Sequence, residues 1–363
     1  MISLWELDRQ DVEDLATGAA ILGTGGGGDP YLGKLMALSV LEKGMKIKVI
    51  DPEEVPDDAL VIPSAAMGTP TVLIEKISKG TEVVEAFERL EKYFGQEVFA
   101  TMPLESGGVN SVNPLTVGAR CGLPIVDTDG MGRAFPELQM TTFNIYGVPC
   151  CPMTLVDEKG NVVLLDAIDN VWAEKLARVI TIRYGGTAWI SLYPMYGRDV
   201  KRGGIPNTLT LARDIGRSIR EARAAKSDPI DAVLGITGGF RLFEGKIVDV
   251  ERKTVAGFAR GEARIEGLGE DSGSEMVVQF QNENLVAIKD GDIVCSVPDL
   301  ISILDADTGL PITTEYLRYG YRVIAIGMPI HEKWRTPEGL KVVGPRYFGY
   351  DIDYVPIEER MRG

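Results

Sequence analysis

The sequence predicts an α/β protein, a three-layer α/β sandwich on a mainly parallel sheet joined to a second, β-rich domain of barrel-like form. Three observations carry this. Apolar runs of strand length alternate with helical periods through the first part of the chain, which is the pattern of a sheet covered on both faces. Beyond about residue 167, two long helical periods give way to short strands separated by Glu-Gly, Asp-Gly and Gly-rich turns. The length of 363 residues, with 45% hydrophobic and 25% charged residues, suits a globular chain of two domains. The expected division is 1–166 for the α/β domain and 167–363 for the helices, the barrel and a C-terminal segment, with no Pro/Ser linker at the boundary.

From residue 9 to 22, Val12, Leu15, Ala16, Ala19 and Leu22 fall at helical spacing, so a helix leads into the glycines of "AAILGTGGGGDP". Asp29 then caps a second helix with Pro30 in its first turn. "KIKVID", "ALVIPSA", "EVFAT" and "LPIVDTD" read as strands, with helices near 81–94 and 111–121 between them. Residues 171–182 and 206–225 read as helices, the second with Leu209, Ala212, Ile215 and Ile219 on one stripe. "FRLFEGKIVDVERKTVAGFARGEARIEG", "EMVVQFQNENLVAIKDGDIVCSV" and "YRVIAIG" supply the strands of the second domain. The Tyr- and Gly-rich "VVGPRYFGYDIDYVP" is expected to dock on the body.

Charge and rare residues exclude whole classes of function. A net charge of -15 repels a phosphate backbone or an anionic membrane, so neither nucleic acid nor membrane is an expected partner. The acidic N-terminus lacks the basic and apolar regions of a signal peptide, which together with four scattered cysteines points to the cytoplasm. The single histidine, His331, rules out multi-imidazole zinc sites and reads as a loop residue after a strand. Cys150 and Cys151 have no base nearby in sequence and are read as packing groups.

Gly23, Gly25 and Gly28 match G-x-G-x-x-G, and Asp51 stands near the position of a ribose ligand. A dinucleotide fingerprint needs a strand before its first glycine, however, and here the period is helical. Asp29 moreover places a carboxylate at the helix N-terminus that a pyrophosphate would need. NAD is therefore disfavoured, and the loop of Gly25, Gly26, Gly27 and Gly28 is expected to cradle a small ligand with its N–H groups.

"PLESGGVNSVNP" and "PIVDTDGMGRAFPELQM" each follow a strand and should meet at the carboxyl edge of the sheet. Asp127, Asp129 and Glu137 are candidate bases and acids, and Arg133 offers a planar fork to a substrate carboxylate. Gly68 and Thr69, after "ALVIPSA", should lie at the same edge. The alternative is a solvated acidic turn with Arg133 and Glu137 as a surface pair.

Together "LATGAAILGTGGGGDP", "LESGGVNS", "VDTDGMGRAFPELQM", "GKIVDVERKTVAGFARG", "QNENLVA", "PDLISILDADTGLPITTEYLRYGYRV" and "VGPRYFGYDIDY" resemble, in order and over nearly the full length, the family named after S-methyl thiohydantoin desulfurase. The resemblance implies a hydrolase that replaces a sulfur substituent on a five-membered hydantoin-like ring with oxygen from water. For that chemistry Asp129 or Asp127 is the expected base and Glu137 the acid. Asn110 and the glycine N–H groups are the expected donors to developing charge, with Glu105 beside them. A divalent metal on Asp127, Asp129 and Glu105 stays open, as does a homo-oligomer. The rival readings are a ligand-binding or regulatory protein without turnover and a dinucleotide oxidoreductase.

Overall fold

The computed structural model describes residues 4–362 except 70, 71, 73, 74, 77 and 78. Its first sheet holds β1 (Leu4–Leu7), β2 (Ile47–Ile50), β3 (Leu60–Gly68), β4 (Val98–Pro103), β5 (Ile125–Val126), β7 (Met153–Val156), β8 (Val162–Leu165) and β9 (Thr187–Ser191). They run in the order β1-β2-β5-β4-β3-β9-β7-β8, with β10 (Met195–Tyr196) also on β3. The centre β2-β5-β4-β3 is parallel. The flanking strands are antiparallel, so the sheet is mixed. The parallel pairing of β3, β4 and β5 follows from the helices that return the chain between them, α3 (Glu82–Phe94) and α4 (Gly108–Cys121), whereas α1 (Arg9–Leu22) and α2 (Tyr31–Glu42) lie between the antiparallel β1 and β2. The antiparallel side comes from the "MTLV" and "VVLL" hairpin, which contains no helical period.

Strands β9 and β10 come from beyond residue 167, after α5 (Asn170–Arg183). Helix α6 (Thr208–Ala225) then crosses back onto α1. The two helices touch at glycine: a Cβ on Gly18 would stand 1.8 Å from the Ala212 carbonyl oxygen, and one on Gly216 would stand 1.9 Å from that of Asp14. The apolar stripe of α6, Leu209, Ala212, Ile215 and Ile219, is buried. Helix α2 begins one residue later than its sequence signature, at Tyr31, whose N–H is accepted by the Asp29 carboxylate at 2.8 Å.

The second sheet is antiparallel throughout, in the order β16-β15-β14-β13-β12-β18-β17. Its strands are β12 (Phe240–Val255), β13 (Phe258–Gly267), β14 (Glu275–Gln281), β15 (Glu283–Lys289), β16 (Asp292–Ser296), β17 (Leu300–Asp305) and β18 (Arg322–Met328). It curls into a half-barrel, and the Asn284 side chain on β15 donates to the Ile301 carbonyl on β17 at 2.9 Å. Alternating residues such as Ile247, Ala263, Ile265, Met276 and Val278 fill its concave core. The C-terminal segment docks through Asp299, which accepts from the Tyr354 hydroxyl at 2.8 Å and the Ile357 N–H at 2.8 Å. No helix among the described residues is long and apolar enough to cross a membrane.

Candidate active site between the two sheets

The glycine loop follows a helix, so the strand, turn and helix of a dinucleotide fingerprint are absent. Asp51 instead caps the short turn at 52–54 through the Glu53 N–H at 2.8 Å. The loop serves as the joint between the two sheets. Gly25 donates nothing to a ligand pocket: its carbonyl accepts from the N–H and hydroxyl of Thr314 at 2.8 and 3.0 Å. Gly26 lies so close to β15 that an added Cβ would stand 2.1 Å from the Glu283 carboxylate. Gly27, at φ +70°, packs on the start of α4, where Val109 N–H donates to its carbonyl at 3.0 Å. These are close approaches of backbone that only glycine permits.

Around this joint lies a cleft of about 610 Å³, counted out to its open mouth. Of the residues singled out in the sequence, Gly27, Gly28, Gly68, Thr69, Glu105, Asn110 and Glu137 line it. Gly25, Gly26, Asp127, Asp129 and Arg133 do not. Among the charged and amide side chains, three that were not singled out there also line the cleft: Arg178, Asn282 and Glu283.

Glu105 sits in the loop after β4, 5% exposed, where Asn110 Nδ2 donates to Oε1 at 2.6 Å and Phe135 N–H to Oε2 at 3.2 Å. Asn110 has its amide fully engaged, since Oδ1 accepts from Ala66 N–H at 2.6 Å and Nδ2 also donates to the Ala66 carbonyl at 3.0 Å. It therefore fixes Glu105 rather than offering a free donor to developing charge. Burial pushes Glu105 up to about 7 against the pull of these bonds.

Glu283 opens β15 and comes from the other sheet. It is 2% exposed, its Oε1 accepts from Gly27 N–H at 3.3 Å, and its Oε2 has no hydrogen-bond partner among the described residues. Burial, and then the charge of Glu105, push it up to about 8, while Arg133 pulls it back. Asn282 before it adopts φ +57° and locks onto Ala259, which turns the following carboxylate toward the glycine loop.

The residues outside the cleft have other tasks. Asp127 accepts from Leu209 N–H at 2.8 Å, Thr210 N–H at 3.2 Å and the Thr210 hydroxyl, and so caps α6, whose own N-cap residue, Asn207, makes no side-chain cap bond. Asp129 is fully buried and accepts from Met131 and Gly132 N–H groups at 3.3 and 2.9 Å, closing the turn in which both lie. Burial raises both aspartates, and the backbone donors oppose it. Asp127, Asp129 and Glu105 thus do not form the metal cluster left open from the sequence, and no three Asp, Glu, His or Cys side chains among the described residues are placed to hold an ion.

Arg133 corrects a second expectation. It is completely buried, and its five donors go to the carbonyls of Ala134, Pro298, Asp299 and Asn284 and to the Thr24 hydroxyl, at 2.7 to 3.2 Å. No donor remains for a substrate carboxylate or for Glu137. The cation that does line the cleft is Arg178, held by Glu174 at 2.7 Å and the Pro136 carbonyl at 2.9 Å, above the Phe258 ring at 4.3 Å. Glu137 is half-buried and accepts from the Tyr347 hydroxyl at 2.6 Å and the Gln139 amide. His331 caps a turn through Lys333 N–H, and Cys150 and Cys151 are buried.

A single sequence gave little sign of Glu283. Its one signal is the run "QNEN", four polar residues where the pattern calls for a half-buried strand; all four are buried.

Residues 10–167 match the S-Me-THD-like N-terminal domain and residues 168–357 the S-Me-THD-like C-terminal domain. The chain belongs to the S-Me-THD-like family. The crystal structure of a protein from Chromobacterium violaceum is similar, with a TM-score of 0.80 and 23% identity over 97% of this chain and 100% of that one, a likeness that shows the shared fold. No curated protein matches the chain.

Proposed function

We propose that the protein is a hydrolase that replaces a sulfur substituent on a five-membered hydantoin-like ring with oxygen from water, and that Glu105 and Glu283 perform the proton transfers. Family membership supports the ring chemistry. The observation that carries the site is the unpartnered Glu283 Oε2, buried beside a second raised carboxyl in the same cleft. Two such groups hold a proton between them near neutral pH, because each disfavours the charge of the other.

Ionised Glu105 takes a proton from water as its oxygen bonds to the ring carbon. The carbon–sulfur bond breaks, and Glu283 delivers its proton to the departing sulfur, so a neutral thiol leaves; the second proton of the water passes from the new hydroxyl to the ring nitrogen, and the ring carbon becomes a carbonyl. The proton gained by Glu105 returns the pair to its starting state. Gly28 N–H, which makes no hydrogen bond to the described residues, is a donor for charge developing on the ring.

Incubating the protein with S-methyl thiohydantoin in heavy-oxygen water should release methanethiol and place the label in the hydantoin in equal amounts. Folded protein that releases no thiol, while its melting temperature also ignores the ring compounds, would overturn the reading.

A further inference from the structure

Helix α5 buries small and charged side chains and leaves its large apolar ones outside. Glu174 and Arg178, 6% and 8% exposed, face inward with Ala173 and Ala177, whereas Trp172, Leu176 and Val179 are 46%, 39% and 59% exposed along the outer stripe. Its large apolar side chains thus stand on the side away from the core, against the ordinary pattern of a surface helix. Ile168, 87% exposed just before the helix, and Val171 and Ile182 on its flank widen the stripe. At its far end the β12–β13 hairpin tip adds Val255, half exposed, and a Cβ on Gly257 would lie 3.7 Å from Ile182. The exposed charges on the helix are the cations Lys175 and Arg183, while Asp166 and Asp169 are exposed around Ile168, and Lys175 folds over the Trp172 ring at 4.9 Å.

We propose that a second copy of this chain docks here, α5 against α5 about a two-fold axis. The exposed apolar side chains present roughly 600 Å² per copy, hence about 1,200 Å² over two copies, which reaches the lower bound of a stable specific interface. A patch of that size on a monomer stands at the upper end of what soluble chains leave open. An isologous contact needs only a self-complementary surface, and an apolar stripe along a helix provides one without oppositely charged partners. The docked helix is also the wall that carries Arg178 into the cleft, and the hairpin tip lies so near the same arginine that a Cβ on Gly257 would stand 3.0 Å from its Cδ. Self-association would clamp that wall from behind.

Sedimentation of the full chain at tens of micromolar should give twice the chain mass. Trp172→Glu with Val179→Asp should give monomers whose circular dichroism matches the parent. Ile168→Glu, in a loop where no fold depends on it, should weaken the dimer at least tenfold. A parent that sediments as a monomer, or an Ile168→Glu variant that dissociates no more readily than the parent, overturns the proposal. Catalytic assays play no part in this test, so it fails or succeeds independently of the reaction proposed above.

Discussion

The turn after strand β5 and the joint between the two sheets each bury a pair of carboxylates, and the two pairs serve opposite ends. Asp127 and Asp129 are raised by burial, as Glu105 and Glu283 are. The aspartates, however, aim at backbone N–H groups of their own turn and of α6, and line no cleft. Glu283 keeps an oxygen without a partner among the described residues and lines the cleft. Burial and a raised pKa therefore do not by themselves mark a reacting group; what distinguishes the second pair is hydrogen-bonding capacity left open toward the cleft.

The sharpest way to break this contrast is Glu283→Gln, which keeps the contact with Gly27 and removes the proton. Turnover should fall about a hundred- to ten-thousand-fold with the fold intact. Activity near the parent value would place the acid elsewhere, with Glu137 the next cleft carboxylate.

Arg133→Met should lower stability by about 3–5 kcal/mol, because it strands buried carbonyls and leaves Glu283 without its nearest cation. Denaturant midpoints measure this, and a near-neutral midpoint would mean that the guanidinium is free after all. Asp127→Ala should cost about 1–2 kcal/mol through loss of the α6 cap while sparing the turnover of folded protein. An inactive but fully stable Asp127→Ala would move this residue back into the chemistry.

A further effect is on pH. A carboxyl whose folded value lies above its unfolded value near 4.5 stabilises the fold below that pH, and this contribution is lost as pH rises through its folded value of about 8. Melting of Glu283→Gln should therefore gain on the parent between pH 5 and 9. A constant difference across that range would show that Glu283 titrates normally.

Local chemistry in the sequence was sufficient for much of this molecule. The spacing of Val12, Leu15, Ala16, Ala19 and Leu22 determined that a helix precedes the glycines, and so weighed against the dinucleotide geometry. Strand-length apolar runs located β2, β3 and β4, and Glu105, Asn110 and Glu137, read from the sequence as lying at one sheet edge, line the same cleft as Gly27 and Gly28. Side-chain direction was another matter. Asp127 and Asp129 stand two apart at a strand end, and their sequence spacing says nothing about which N–H groups the turn will bring to them. Arg133 looked exposed beside Glu137, yet the half-barrel supplies three of its acceptors from residues 284, 298 and 299. Glu283 reaches Gly27 across 256 positions of chain. Periodicity and turn chemistry act within a few residues and are written locally. The partners that decide whether a buried charge is a brace or a reactant come from segments far apart in sequence, and only the packing of one sheet against the other selects them.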